Sequence, residues 1–165
     1  MLIREVKNED AENLNNLIKE VEAESNYMLM EAGERKTTPD QQRKQIMQIQ
    51  QQKNSIIFVA ENDGDLVGYL FVIGGSTKRT QHSTYIVIGI LERYRGKGIG
   101  TALFQQLEEW AKKSQISRLE LTVVTKNEAG VALYRKSGFE IDGTKRNSLM
   151  IDGTFYDEYY MSKLL

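Results

Sequence analysis

A glycine-rich turn between a predicted strand and a predicted helix could bind a pair of linked phosphates. Its sequence is Arg95-Gly96-Lys97-Gly98-Ile99-Gly100. The first turn of a helix leaves backbone N–H groups without acceptors, and the helix dipole adds partial positive charge there. Glycines let a phosphate approach the backbone closely, and Arg95 and Lys97 add cationic side chains beside it. These residues therefore predict a diphosphate cradle.

The spacing of the glycines narrows the choice of ligand. The P-loop pattern Gly-x4-Gly-Lys-Ser/Thr is not met, because no lysine follows the last glycine. The dinucleotide fingerprint Gly-x-Gly-x-x-Gly is not met either, because the glycines fall at positions 96, 98 and 100. Taken alone, the turn is also compatible with a strand–helix connection that binds nothing.

Residue types that are absent restrict the chemistry further. The sequence has no cysteine, which excludes disulfides, thiolate metal sites and a cysteine nucleophile. His82 is the single histidine, so a cage of several histidines is excluded and we expect no metal. A serine–histidine triad would have to use His82, and no Gly-x-Ser-x-Gly elbow accompanies it. Backbone groups, carboxylates, hydroxyls and tyrosines remain.

The bulk composition bears on partners and location. Hydrophobic residues make up 40% of the chain and charged residues 27%, which is typical of a soluble globular protein. The formal net charge of -1 implies no field for polyanions, so we expect neither nucleic acid nor a membrane as a partner. No apolar run of spanning length and no signal peptide is visible, which makes the cytoplasm the expected location.

Alternating or β-branched segments predict the strands that must position the turn: residues 2–6, 55–61, 66–73, 82–91, 118–124, 139–147 and 154–164. Helical spacing predicts a first helix capped by Asn8, a second that starts at Thr38-Pro39 and runs to about Gln51, and further helices over 98–113 and 127–136. Residues 25–38 show no clear pattern, and part of this stretch could be helical. Gly138 stands where a left-handed helix terminator is expected.

This order of elements predicts the fold class. Early strands are joined by hairpins and later strands alternate with helices, which indicates an α/β (mixed α+β) fold with a mixed sheet and helices on both faces. No repeat, linker or charge block divides the chain. We therefore expect a single domain over residues 1–165.

Two motifs in this order resemble the GNAT superfamily of N-acetyltransferases, in particular its small bacterial-type members. The superfamily pattern Arg/Gln-x-x-Gly-x-Gly/Ala is met by Arg95, Gly98 and Gly100. Asn127 and then Leu133-Tyr134-Arg135-Lys136-Ser137-Gly138-Phe139 match the superfamily's next segment. The resemblance implies a twisted, mostly antiparallel sheet of about seven strands, splayed between the fourth and fifth strands.

The resemblance also implies an activity, which is direct transfer of the acetyl group of acetyl-CoA to a primary amine. The backbone of Ile88, Gly89 and Ile90 would pair with the pantetheine arm, and one of these N–H groups would face the thioester oxygen. The loop residues would hold the pyrophosphate: Arg95, Gly96, Lys97, Gly98, Ile99 and Gly100. Asn127 would bind the cofactor arm, or only cap its helix. Tyr134 would protonate the leaving thiolate as general acid, although an aromatic residue there could also simply pack on the sheet.

Three residues depart from the superfamily pattern. Glu92 replaces a common proline and Gly130 replaces a common alanine. Thr122 stands where some members place a glutamate base, which leaves the base open. Candidates are Glu31 and Glu34, where the superfamily builds its acceptor pocket, as well as Glu92, His82 and Glu158, and a water chain is an equal alternative.

The resemblance implies that the acceptor is a primary amine of a small molecule or of a protein or peptide, and it leaves this choice open. An acidic pocket from Glu31, Glu34, Asp157 and Glu158 would suit a cationic amine, and the tyrosines of the last strand could line it or pack on the sheet: Tyr156, Tyr159 and Tyr160. A CoA-binding sensor or scaffold without turnover is the alternative function. A nucleotide-binding protein is disfavoured by the glycine spacing. Dimers are common in the superfamily, which leaves a homodimer open.

Overall fold

The computed structural model describes residues 1–165, which form seven strands and four α-helices. The strands are β1 (Leu2–Glu5), β2 (Ile56–Asn62), β3 (Asp65–Gly74), β4 (Ser83–Ile90), β5 (Arg118–Val124), β6 (Glu140–Ile151) and β7 (Thr154–Leu164). The helices are α1 (Ala11–Glu24), α2 (Pro39–Gln50), α3 (Ile99–Lys113) and α4 (Glu128–Lys136). Two short 3₁₀ turns, Asn8–Asp10 and Glu92–Tyr94, precede α1 and the glycine-rich loop. The predicted order of elements is confirmed.

The strands form one sheet in the order β1-β2-β3-β4-β5-β7-β6. Neighbouring strands are antiparallel with one exception, the central parallel pair of β4 and β5. A parallel pair needs a crossover connection, and here α3 supplies it. The predicted mixed, mostly antiparallel sheet is confirmed.

Helices cover both faces of the sheet. Residues 56–60 of β2 and 66–72 of β3 are all buried, although successive side chains of a strand point to opposite faces. Helices α1 and α2 pack against each other, and α1 also packs on β3. Helix α3 packs on β1 to β4, and its residue Phe104 contacts the aromatic ring of Tyr134 in α4.

The parallel strands β4 and β5 pair only over a short distance and then diverge. Their register comprises Ser83 with Arg118, Thr84 with Leu119 and Tyr85 with Glu120. Strand β4 nevertheless continues to pair with β3 as far as Ile90. The stretch 86–90 therefore has one edge without a partner strand, and this gap is the predicted splay between the fourth and fifth strands.

The start of α2 follows the sequence prediction, whereas the start of α1 does not. Thr38 Oγ1 accepts a hydrogen bond from the Gln41 amide at 3.2 Å, and Pro39 is the first helical residue. Asn8 was predicted to cap α1, which is wrong, because Asn8 lies inside the 3₁₀ turn. The Asp10 carboxylate accepts from the Lys7 amide at 2.7 Å and closes that turn, so that α1 begins at Ala11.

The structure defines one segment that the sequence left open, and one strand boundary differs from the prediction. Residues 25–38 contain no helix and form a loop with turns between α1 and α2. Strand β6 was expected to end at Asn147 but continues to Ile151. Its register with β7 shifts between Lys145 and Leu149, where Asn147 has a φ of 49°. The bulge interrupts the alternating pattern without ending the strand. None of the helices has the length and apolar character required to cross a lipid bilayer.

Candidate active site

The glycine-rich loop presents a series of free backbone amides at the start of α3. Gly96 and Gly98 have φ values of 73° and 84°, a left-handed conformation that favours glycine. The first helical hydrogen bond runs from the Ala102 amide to the Gly98 carbonyl at 3.0 Å. The amides of residues 96–101 donate to no acceptor in the protein. A turn with these properties suits an anionic group, because its amides point outward without acceptors.

The cationic side chains of this loop are exposed and held from one side. Arg95 Nε donates to the carbonyl oxygen of Ile90 at 3.1 Å, which ties the loop to the end of β4. The Lys97 ammonium lies 5.4 Å from the centre of the Tyr94 ring, within the range of a cation–π contact. Each of the two cationic side chains thus has one contact within the segment that ends in the free amides.

The last glycine of the loop has a packing role. Gly100 is buried, and a Cβ atom there would lie 2.9 Å from Cδ2 of Leu133 on α4. Ile99 beside it belongs to the hydrophobic core. Gly100 therefore allows α3 and α4 to approach each other, which is a function that the glycine pattern alone did not reveal.

Gly89 lies where β4 has left β5. It pairs with Tyr69 of β3, and a Cβ atom at Gly89 would lie 2.4 Å from Cζ of that tyrosine. The Tyr69 ring thus occupies the space that a side chain at position 89 would need. Its neighbours Ile88 and Ile90 pair with Leu70 and Gly68, so the strand is held on the β3 side while its other edge is free.

A cavity of about 740 Å³ opens at the splay. Its walls come from helices α1, α2 and α4, the 25–38 loop and strands β3 to β7, and most of the residues are hydrophobic. Of the residues predicted to bind the coenzyme, three line it, namely Ile88, Asn127 and Tyr134. Gly89, Ile90 and the glycine-rich loop lie outside this lining, along and beyond the same strand.

Tyr134 is fixed by aromatic neighbours. Its ring makes edge contacts with Phe104 at 6.0 Å and Phe139 at 6.2 Å between ring centroids. Burial, and secondarily the nearby Tyr85, raises the pKa of Tyr134 to about 12. The phenol is therefore protonated at neutral pH, and its hydroxyl donates to no protein group. Tyr134 therefore packs through its ring and still lines the cavity with a hydroxyl that no protein group uses.

Asn127 caps α4 and also lines the cavity. Its Oδ1 accepts from the Gly130 amide at 3.0 Å, while its Nδ2 has no protein acceptor. A Cβ atom at position 130 would lie 2.7 Å from that Nδ2. Gly130, which replaces the common alanine, therefore leaves room for this side chain.

A hydrogen bond that the sequence did not predict bridges the splay. The hydroxyl of Tyr85 on β4 and Oγ1 of Thr122 on β5 lie 2.8 Å apart, and both residues line the cavity. Thr122 is the residue that replaces a glutamate in the superfamily pattern. It holds the two strands together beyond their last backbone pair instead of supplying a carboxylate.

The carboxylates of the cavity differ from the expected set. Of the candidate bases only Glu158 lines it, with its Oε1 accepting from Ser148 Oγ at 2.5 Å. Glu31 and Glu34 are both exposed and lie in one turn. The Glu31 amide donates to Glu34 Oε1 at 3.1 Å. The structure brings neither of them to the cavity, and it does not bring His82 or Glu92 there either.

The predicted acidic pocket is not formed. The charged residues of the cavity are balanced in sign: Glu22 and Glu158, and Arg35 and Lys145. Asp157 lies in an adjacent pocket with Tyr156, and its Oδ1 accepts from the Asn147 amide at 2.7 Å. Of the three tyrosines of the last strand, Tyr160 lines the main cavity.

An ion pair between a buried glutamate and a partly exposed arginine, which the sequence did not reveal, forms part of the cavity wall. Arg35 donates through Nε and Nη2 to the Glu22 carboxylate at 2.9 and 2.8 Å. The Glu22 side chain is 4% exposed and the Arg35 side chain 28%. The Glu22 hydrogen bond raises the pKa of Arg35, which stays charged. The two residues are 13 positions apart and follow no known motif.

Residues 18–139 match the Acetyltransferase (GNAT) family, and the chain belongs to this family. The L-amino acid N-acetyltransferase AaaT of Escherichia coli is 33% identical over 107 residues, which are 64% of this chain and 66% of the relative. The N-alpha-acetyltransferase RimI of Mycobacterium tuberculosis is 33% identical over 105 residues, which are 63% of each chain. The chain thus spans just under two thirds of the length of these relatives.

The crystal structure of a GNAT-family acetyltransferase from Streptococcus pneumoniae has the same fold along the whole chain. Its TM-score is 0.95 at 32% identity, and the match covers 99% of this chain and 98% of that one. The similarity therefore includes the 25–38 loop and β6–β7, which contribute part of the cavity wall.

Proposed function

We propose that this protein is an acetyl-CoA-dependent N-acetyltransferase that acts on a primary amine. Family membership supports this function. The observation that carries it is the continuity of β4. This strand lines the cavity at Ile88 and ends at Ile90. The Ile90 carbonyl accepts from Arg95 Nε, which connects the end of the strand to the loop of free amides. One strand thus links an anion-binding turn with a cavity that holds a protonated phenol.

The coenzyme would be held along this path. The amides of residues 96–101 would receive the pyrophosphate, with Arg95 and Lys97 at its sides. The free edge of Ile88, Gly89 and Ile90 would pair with the pantetheine arm. Asn127 lies at the start of α4, the helix that follows β5, and its unpaired Nδ2 would donate a further hydrogen bond to this arm. When bound, acetyl-CoA supplies an activated acetyl group and a thiolate leaving group.

Two side chains of the cavity can donate and accept the protons that the reaction transfers. Tyr134 holds a proton at its phenol oxygen, since its raised pKa keeps it protonated, and it would give this proton to the leaving sulfur. Glu158 has a second carboxylate oxygen that no protein donor occupies, and we assign it as the acceptor of the amine's proton. Glu31 and Glu34, which lie outside the cavity, are not part of this mechanism.

The test is turnover of Tyr134→Phe, measured by thiol release from acetyl-CoA on a panel of amines. The substitution retains the ring contacts with Phe104 and Phe139 and removes only the hydroxyl. We expect kcat to fall roughly 10²- to 10⁴-fold, the range of a general acid, with little change in coenzyme affinity. Tyr159→Phe is the matched control, because Tyr159 is on β7 and does not line the cavity.

This experiment also decides between the enzyme and a binding module. Wild-type protein that binds the coenzyme in calorimetry but releases no thiol with any amine would favour a CoA-binding sensor or scaffold. Equal turnover of wild type and Tyr134→Phe would remove this phenol from the mechanism.

A further inference from the structure

We propose that the acceptor amine carries a carboxylate, and that Arg35 binds it. The acceptor class that fits is a free α-amino acid with an apolar side chain. This inference rests on the proposed acetyltransferase function and identifies the substrate of the same cavity. It is carried by the guanidinium of Arg35, which is held from one side and open on the other.

The Glu22–Arg35 pair leaves one edge of the guanidinium available. Nε and Nη2 donate to the two Glu22 oxygens, whereas Nη1 has no acceptor in the protein. Glu22 is almost fully buried and Arg35 is partly exposed, so the charge that the pair presents to the cavity is the cation. A carboxylate can accept from Nη1 and from the remaining N–H of Nη2, the geometry in which arginine binds such groups.

The buried glutamate explains why the arginine is suited to binding. Glu22 sits on α1 and holds the guanidinium in one orientation, so little side-chain freedom is lost when a ligand binds. Both Glu22 oxygens accept from Arg35 and the Glu22 side chain is only 4% exposed, so an ammonium group entering the cavity has little access to this carboxylate. The same wall that attracts a carboxylate disfavours a polyamine.

The opposite charge lies on another wall of the same cavity. Glu158, on β7, is the other carboxylate of the lining, and Ser148 occupies only its Oε1. Lys145 is its register partner on β6. A zwitterion has the complementary arrangement, with its carboxylate directed to Arg35 and its amine directed to Glu158.

The rest of the cavity lining is mostly apolar. Side chains of the 25–38 loop, β3 and β6 contribute to it: Met28, Phe71, Ile73 and Leu149. An aliphatic or thioether side chain can be buried against them, whereas a charged side chain would lose hydration there. A peptide N-terminus lacks the α-carboxylate, because that group is an amide, and it would leave Arg35 without its ligand.

The experiment compares three acceptors that differ at one group, namely leucine, leucinamide and 3-methylbutylamine, with acetyl-CoA held constant. We expect kcat/KM for leucine to exceed that for each of the other two roughly ten- to hundredfold, as a charge-assisted hydrogen bond allows. In Arg35→Gln this preference should be lost, mainly through the KM for leucine. Arg43→Gln, an exposed arginine of α2 outside the cavity, should keep the wild-type preference.

Arg35→Gln leaves Glu22 buried and unpaired, which can destabilise the fold. A double variant separates this effect from the loss of the arginine. Glu22→Gln with Arg35→Gln removes both charges and should lose the preference equally. If either variant fails to fold, the three acceptors still test the wild type. Equal or better turnover of leucinamide or 3-methylbutylamine would overturn the carboxylate proposal and leave the acetyltransferase standing. Absence of turnover with any amine would overturn the proposed function itself.

Discussion

Glu92 stands where the superfamily commonly has a proline, and its backbone N–H donates to Oε2 of Glu24 at 2.7 Å. A proline could not make this bond, which connects the end of α1 to the residues before the glycine-rich loop. Thr122 replaces a glutamate and bonds Tyr85 across the splay. At both positions the departure from the pattern introduces a contact between elements that frame the site.

Gly89 offers a test at the scale of one residue. Gly89→Ala places a Cβ atom 2.4 Å from Cζ of the buried Tyr69, so the ring or β4 must move. We expect a loss of about 1–3 kcal/mol in the free energy of unfolding, the usual cost of overpacking, and weaker coenzyme binding. Chemical denaturation and calorimetry measure the two effects.

Gly143→Ala is the matched control, because Gly143 also lies in a strand and a Cβ atom there would have nothing within 4 Å. Equal stability of the two variants would show that the contact between Tyr69 and Gly89 is not tight. The steric requirement for a glycine near the end of β4 would then no longer hold.

At the scale of elements, much of the fold could be predicted from the sequence because its signals are local. Strand β5 has the predicted bounds, Arg118–Val124, and α2 starts at the predicted Thr38-Pro39. Period-2 and period-3.6 patterns and capping residues act within a few positions, so they are readable in the chain itself. The glycine-rich loop belongs to the same kind of signal, because strand, turn and helix are consecutive.

The acceptor side of the cavity could not be predicted, because its contacts join distant segments. Arg35 meets Glu22 only after the loop of residues 25–38 turns back on α1. Glu158 meets Ser148 only because β6 is bulged. Their position between the first helices favours Glu31 and Glu34 as pocket residues, but the loop directs other side chains into the cavity. No periodicity marks which residues of such a loop point inward.

The contact that connects β1 to the start of α1 should make the free energy of unfolding depend on pH. The Arg4 guanidinium donates to Asp10 at 2.7 and 3.0 Å, and its hydrogen bonds lower the pKa of that carboxyl below its ordinary value, against the opposing effect of burial. A carboxyl with a lower pKa in the folded state stabilises the fold above its unfolded pKa of about 3.9. That stabilisation is lost as the pH falls through the folded pKa.

Asp10→Asn should therefore reduce the free energy of unfolding by about 1–3 kcal/mol at pH 7, and the difference from wild type should shrink below about pH 4. Urea denaturation of both proteins at a series of pH values measures this. Asp40→Asn is the control, because Asp40 pairs with Arg43 at the surface and is 83% exposed. A difference that grows on acidification would contradict the assignment.

At the scale of the molecule, the site depends on β4 having two different edges. Its β3 edge is paired as far as Ile90, while its β5 edge is paired only as far as Tyr85. The sheet is thereby continuous enough to be rigid and open enough to admit a ligand between its halves. The helix after β4 starts with free amides, and the helix after β5 supplies Asn127 and Tyr134. Both halves must therefore keep their relative position for the site to exist.

A ligand bound between these halves should stabilise the whole protein. At a CoA concentration one hundred times its Kd, binding adds about 2.7 kcal/mol, which corresponds to a rise in Tm of about 5–10 °C for a chain of this size. Gly98→Asp should abolish this rise, because the carboxylate would stand among the free amides and repel the pyrophosphate.

Gly153→Asp is the matched control, since Gly98 and Gly153 have similar φ values of 84° and 78° and open surroundings. The chain already places Asp63 and Asp152 at a φ of 50°, so both variants should fold. A CoA-induced rise in Tm that survives in Gly98→Asp would place the phosphates elsewhere.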